Sequence, residues 1–197
     1  MLLDTGSTRI LIDPGTFSAG FEDVKDLDAV LITHQHYDHL DVERLPALIK
    51  NNPQAQLIVD EGSAPDLDNP VVARPGDVVK VGDTTVKVVG GRHAMIHEDI
   101  PIVPNTGYVV GDGAFYHPGD SLFVPDEDVD VLGLPSGAPW LRLGEAVDFM
   151  RAVRPRTAVP IHEKLLSMPE NAYRMFDMLK PEGTEVRPLT PGEETAV

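Results

Sequence analysis

The hexapeptide His34-Gln35-His36-Tyr37-Asp38-His39 sets the strongest limit on what this chain folds into. Three imidazoles and a carboxylate stand within six residues. They follow at once on Ala29 to Thr33, an apolar run of the kind that forms a buried strand. A turn at a strand end fans its side chains into one small volume. Neutral imidazole and carboxylate are good ligands for divalent transition metals. The fold must therefore deliver this turn to a place where other ligands gather.

The rest of the chain repeats the pattern of an apolar run that stops at a candidate ligand. Asp13 follows Ile10-Leu11-Ile12, and His93 comes shortly after Val86 to Val89. Asp120 lies beyond Ala114-Phe115-Tyr116, across a Pro118-Gly119 turn, and His162 follows Ala158-Val159-Pro160-Ile161. Five strand ends bearing such groups converge naturally on one edge of a sandwich, where loops on a rigid scaffold build a site. Hairpins are expected around Gly82-Asp83 and Gly111-Asp112-Gly113. Leu143 to Val153 carries its apolar residues on one helical face. A second helix is expected from a start near Asp41 through Lys50. A third should open on a capping box of Ser167 and Glu170 and run to about Lys180. Strands fill the first two thirds and helices concentrate later, which reads as two β-layers with helices outside them.

Composition narrows the function. The formal net charge is −16, which repels phosphate backbones, and no run of Lys or Arg offers a basic track, so no nucleic-acid partner is expected. The chain holds no cysteine, so any metal site must use nitrogen and oxygen. No apolar stretch approaches the roughly 20 residues of a membrane span. The first residues lack the basic-then-apolar order of a secretory signal, and a cytoplasmic location is expected. No repeat or long linker divides the chain, so residues 1–197 read as one domain.

The ordered set His34-x-His36-x-Asp38-His39, with Asp13 upstream and His93, Asp120 and His162 downstream, resembles the metallo-β-lactamase fold superfamily over nearly the whole chain. Within it the chain is most similar to compact hydrolases of the ascorbate-6-phosphate lactonase-like group. The resemblance implies an α/β fold, a four-layer αββα sandwich with a two-metal site at one edge. It implies that His34, His36 and His93 hold a first metal, that Asp38, His39 and His162 hold a second, and that Asp120 bridges them. Asp13 would orient the ligands from behind. Zinc is the first expectation for the two divalent ions, with manganese or iron as alternatives. Such ions, about 3.5–4 Å apart, share a hydroxide that attacks an ester, lactone or phosphodiester bond of a small-molecule substrate. Family members usually carry one more strand before the equivalent of Leu2 to Asp4. Its absence, or a rearranged pairing, would leave a sheet edge open to a second copy of the chain, hence a homo-oligomer.

Around this core, His97 is a candidate for protonating a leaving group, Asp38 for a catalytic role beside its ligand role, and Trp140 for a wall of the substrate pocket. Arg92, Arg142 and Lys164 are candidates for a cationic floor. His117 reads as structural or as part of the site. Met150, Met175 and Met178 read as helix packing. The alternatives are a non-enzymatic metal-binding sensor or scaffold, a nuclease and a diiron redox protein. The stretch between Asp120 and His162 is too short for the extra domain such nucleases carry, and His36 and His39 stand where a diiron site would favour carboxylates.

Overall fold

The computed structural model describes residues 1–197. It contains two sheets packed face to face. The first has strands in the order β1 (Leu2–Asp4), β2 (Arg9–Ile12), β3 (Ala29–Ile32), β4 (Gln56–Val59), β5 (Val71–Val72). β1 runs antiparallel to β2, and β2 to β5 run parallel. The second sheet has seven strands: β6 (Val78–Val81), β7 (Thr84–Gly90), β8 (Thr106–Val110), β9 (Phe115–His117), β10 (Val131–Pro135), β11 (Thr157–Ile161) and β12 (Glu185–Val186), in the order β12-β11-β10-β9-β8-β7-β6. Both expected hairpins form, β6 with β7 and β8 with β9.

The apolar runs are continuous because these strands are covered on both faces. In β2, Ile10 and Ile12 point between the sheets, whereas Leu11 points outward. In β3, Ala29 and Leu31 point inward, and Val30 and Ile32 outward. The inner set meets Val86, Val88, Tyr108, Val110 and Val159 of the second sheet. The outer set meets Leu45 and Leu48 of helix α1 (Leu45–Asn51). Helices α2 (Leu143–Val153) and α3 (Pro169–Leu179) cover the second sheet, with Phe149, Met150 and Phe176 against Leu132, Leu134 and Tyr116. This is the expected αββα sandwich. Each buried Ile or Leu contributes on the order of 1.5–3 kcal/mol. No helix is long and apolar enough to cross a membrane.

Two helix starts differ from expectation. α1 begins at Leu45, not near Asp41; the Asp41 carboxylate instead accepts the backbone N–H groups of Glu43 and Arg44 and caps the turn before the helix. The Ser167–Glu170 box does not form, because Pro169 occupies the first helical turn and leaves Ser167 outside the N-cap residue, Met168. The reciprocal contact appears on α2, where Glu145 reaches back to the N–H of Arg142.

Topology explains why the candidate ligands meet. Parallel strands finish at the same edge, where open α/β sheets bind ligands. β2, β3 and β4 are followed at once by Asp13, Thr33 and Asp60. β9, β10 and β11 are parallel, and β7 runs in the same sense because two antiparallel steps separate it from β9. The Thr106 N–H donates to Thr33 O at 2.8 Å and the Tyr108 hydroxyl donates to Ile32 O at 2.7 Å. These bonds stitch the two sheets together at that shared edge.

Candidate metal centre

The first half of the centre grows from β2 and β3. Asp13 leaves β2 with φ of 51°, a left-handed conformation unusual for a residue with a side chain. Its carboxylate thereby faces the next strand. Oδ1 accepts the Thr33 N–H at 2.8 Å, and Oδ2 accepts the Thr33 hydroxyl and the His39 Nδ1–H, each at 2.7 Å. The Thr33 oxygen lies 3.0 Å from His34 Nδ1, and since its own hydrogen goes to Asp13 it accepts from that ring. A tight turn, with His39 N and Leu40 N both donating to His36 O at 2.9 Å, folds the hexapeptide back. Gly15 lies against this turn. A Cβ there would fall 1.8 Å from Asp38 O, so only glycine permits the approach.

The second half comes from three separate loops. His93 Nδ1–H donates to Ala94 O at 2.5 Å, and His162 Nδ1–H donates to Gly137 O at 2.6 Å. His162 is also left-handed, with φ of 63°. Asp120 is positioned by Asn105, which is fully buried: its Oδ1 accepts the Asp120 N–H at 2.9 Å and its Nδ2 donates to Pro118 O at 2.9 Å. Gly119 sits so close to that amide that a Cβ would lie 2.3 Å from Asn105 Oδ1. His117 Nδ1 accepts the Gly119 N–H at 3.1 Å, and burial pushes this imidazole down to about 4, so it is neutral.

With these Nδ1–H groups engaged, four rings turn Nε2 toward a common centre. His39 Nε2 and His162 Nε2 stand 3.1 Å apart, and His34 Nε2 stands 3.0 Å from His36 Nδ1. Asp120 Oδ1 is 3.1 Å from His39 Nε2 and 3.4 Å from His162 Nε2, and Asp38 Oδ2 is 3.3 Å from His162 Nε2. Two ligands on one tetrahedral ion, each bonded at about 2.0–2.1 Å, lie about 3.4 Å apart. The donor set matches that spacing. The Nε2 of His93 and the Oδ1 of Asp120 are buried and have no hydrogen-bond partner, as atoms aimed at a cation would. His34, His36 and His93 form one group of mutually close ligand atoms; His34, His39 and Asp120 a second; Asp38, His39 and His162 a third.

The electrostatics favour positive charge at this point. Burial resists a charge on His39, but the Asp13 and Asp120 carboxylates outweigh it and push the ring up to about 10. Burial likewise resists ionisation of Asp120, yet the His39 and His93 imidazoles beside it hold it well below the usual carboxylate range. His34 is driven the other way, by burial and then by its neighbour His39, and stays neutral.

All seven sequence-predicted ligands are thus brought together, with Asp13 behind them. His97 is outside these groups of close ligand atoms. Its ring is exposed and accepts the Asp99 N–H at 3.1 Å in a local turn. Arg92 and Lys164 are exposed, and Arg142 pairs with Glu145 at 2.7 Å. Of the methionines read as packing, Met150 is buried, whereas Met175 and Met178 are exposed on the outer face of α3. Trp140 lies at the site and holds a ligand: its Nε1–H donates to Asp120 Oδ2 at 2.7 Å. Sequence reasoning missed Thr33, Asn105 and Gly137. A threonine just before the first histidine was a readable signal; nothing local marks Asn105 or Gly137, which act through contacts distant in sequence.

A family model described as the β-lactamase superfamily domain matches residues 1–162. The chain belongs to this superfamily. Protein Rv0786c of Mycobacterium tuberculosis is similar to it, 51% identical over 172 residues, covering 85% of this chain and 81% of that protein. UPF0173 metal-dependent hydrolase PH1671 of Pyrococcus horikoshii is 29% identical over 214 residues, covering 96% and 92%. Igni18, a metallo hydrolase of Ignicoccus hospitalis, shares the fold with a TM-score of 0.75 at 22% identity, covering 98% of this chain and 91% of that one.

Proposed function

We propose that this protein is a dinuclear metal-dependent hydrolase that cleaves an ester, lactone or phosphodiester bond of a small molecule. The observation that carries the reading is the inward-facing set of five imidazoles and two carboxylates from four separate strand ends, spaced as ligands of shared ions are spaced. The metal-dependent hydrolase name carried by PH1671 agrees with it. His34, His36 and His93 would hold one ion, Asp38, His39 and His162 the other, and Asp120 would lie between. Imidazoles dominate this set, which favours zinc over magnesium or calcium, with manganese and iron as alternatives. Such ions supply Lewis acidity and make hydroxide available near neutral pH.

The chain's own groups do the rest. Asp13 and Thr33 fix the His34 and His39 tautomers, so that Nε2 of each ring is free to ligate. Asp38 is the more open of the two ligand carboxylates, at 16% side-chain exposure against 5% for Asp120, and is placed to take the proton of an attacking water. Two carboxylates leave two divalent ions with a net positive charge, which would hold the oxygen under attack. Tyr37, between His36 and Asp38, is exposed and packs edge-on against Phe17 at 5.7 Å, an apolar wall beside the ligand turn. With Arg142 paired to Glu145, this wall favours an uncharged ester or lactone over a phosphodiester. Assay of the purified chain on generic lactones and phosphodiesters, with and without chelator, tests the reading. Activity lost to chelator and restored by zinc supports it; activity that survives chelation, or is unchanged in His36→Ala, refutes it.

A further inference from the structure

Trp140 is the only tryptophan in the chain, and it sits on the segment that joins β10 to α2. This segment touches three of the seven candidate ligands. Ser136 N–H and hydroxyl both donate to Ile161 O, at 3.0 and 2.5 Å, which anchors the segment beside the end of β11. Gly137 O then accepts from His162 Nδ1. A turn closed by Leu141 N–H to Ala138 O presents the indole, whose ring packs edge-on to His93 with centroids 6.1 Å apart. Its N–H reaches Asp120 Oδ2 at 2.7 Å, a short bond to an ionised acceptor and the indole's only donor.

A carboxylate free to rotate can offer either oxygen to either ion. Here Oδ2 is tethered, and the untethered Oδ1 is the buried atom without a hydrogen bond, 3.1 Å from His39 Nε2. Donation by the indole also draws electron density from Oδ2 and leaves Oδ1 as the better ligand atom. We propose that Trp140 is a positioning residue of the metal centre, whose indole N–H fixes the Asp120 carboxylate so that Oδ1 is the oxygen offered to the cation shared with His39. The proposal rests on the metal-binding reading above and adds a role for a side chain outside the ligand set.

The test uses the full chain stripped with chelator and titrated with zinc. A single tryptophan gives a single indole N–H resonance and a single source of indole fluorescence. Zinc should shift both, because the charge on Asp120 is partly withdrawn from the N–H. Trp140→Phe keeps a ring and removes the donor; its zinc Kd should rise about tenfold or more. Trp140→Gln keeps a donor and removes the ring; it should bind zinc more tightly than Trp140→Phe. Equal affinity of wild type and Trp140→Phe, or tighter binding by Trp140→Phe than by Trp140→Gln, overturns the role. So does zinc uptake by the wild type with an unmoved indole resonance, a result that needs no variant to fold. Absence of zinc uptake by the wild type overturns the proposal together with the metal-binding reading, whereas uptake without dependence on Trp140 overturns the proposal alone.

Discussion

The two halves of the centre are built differently. On the first sheet, His34, His36, Asp38 and His39 come from one continuous turn, and a single carboxylate, Asp13, braces it through Thr33 and His39. On the second sheet, His93, Asp120 and His162 come from three loops, and each is held by a separate partner: Ala94 O, Asn105 and Gly137 O. The first half is therefore one cooperative unit whose brace also ties β2 to β3. The second is a set of separable supports, in which a lost partner should disturb one ligand and leave the sandwich standing.

Asp13→Ala gives the sharpest break. It strips the acceptor from three buried donors, one of them on a ring that carries positive charge, and should lower stability by about 3–5 kcal/mol. Urea unfolding of the metal-free protein measures this; a loss below about 1 kcal/mol would mean the first half is not a unit. His117 probes the support under Asp120 by pH. Its ring is neutral in the fold, held down to about 4, but charges freely in the unfolded chain below its ordinary 6.5. The unfolded state thus binds more protons between those limits, and stability should fall by about 3 kcal/mol from pH 6.5 to pH 4 through this group. His117→Asn keeps an acceptor for the Gly119 N–H and should flatten that part of the profile; an identical slope in the variant would contradict the assignment. Asn105→Ala should cost about 2 kcal/mol from two orphaned backbone groups. Its larger signature should be a metal affinity lowered about 10-fold or more. If its affinity loss matches that of Asp13→Ala only in proportion to stability, the two halves are not distinct. The smallest effect is expected from His97→Ala, within about 0.5 kcal/mol in stability and without change in metal affinity, since the ring is exposed and bonded locally. A fall in turnover would show that the loop carrying His97 reaches the substrate after all.

The same difference explains what could be read from the sequence. The hexapeptide after β3 announces itself because its ligands are adjacent in the chain and follow a run that is apolar on both faces. His93, Asp120 and His162 are isolated residues, and composition or periodicity could not join them; their order resembles the superfamily's, and parallel strand ends then bring them to one edge. Strands read well because continuous apolar runs come from burial on both faces. Short edge pieces such as β5 and β12 did not, since two residues carry no period. The supports were least legible. Asn105 acts on Asp120, and Gly137 O on His162, across contacts that leave no local signature. Trp140 was readable as a residue near the opening, but its bond to Asp120 depends on the turn that closes over Ala138.

The claim on which the account turns is that both halves close on one pair of ions. Anomalous diffraction from the zinc-loaded protein tests it directly. Two peaks about 3.5–4 Å apart are expected, one against His34, His36 and His93 and the other against Asp38, His39 and His162, with Asp120 between them. A single ion held by the hexapeptide alone, with His93, Asp120 and His162 outside its reach, would contradict it.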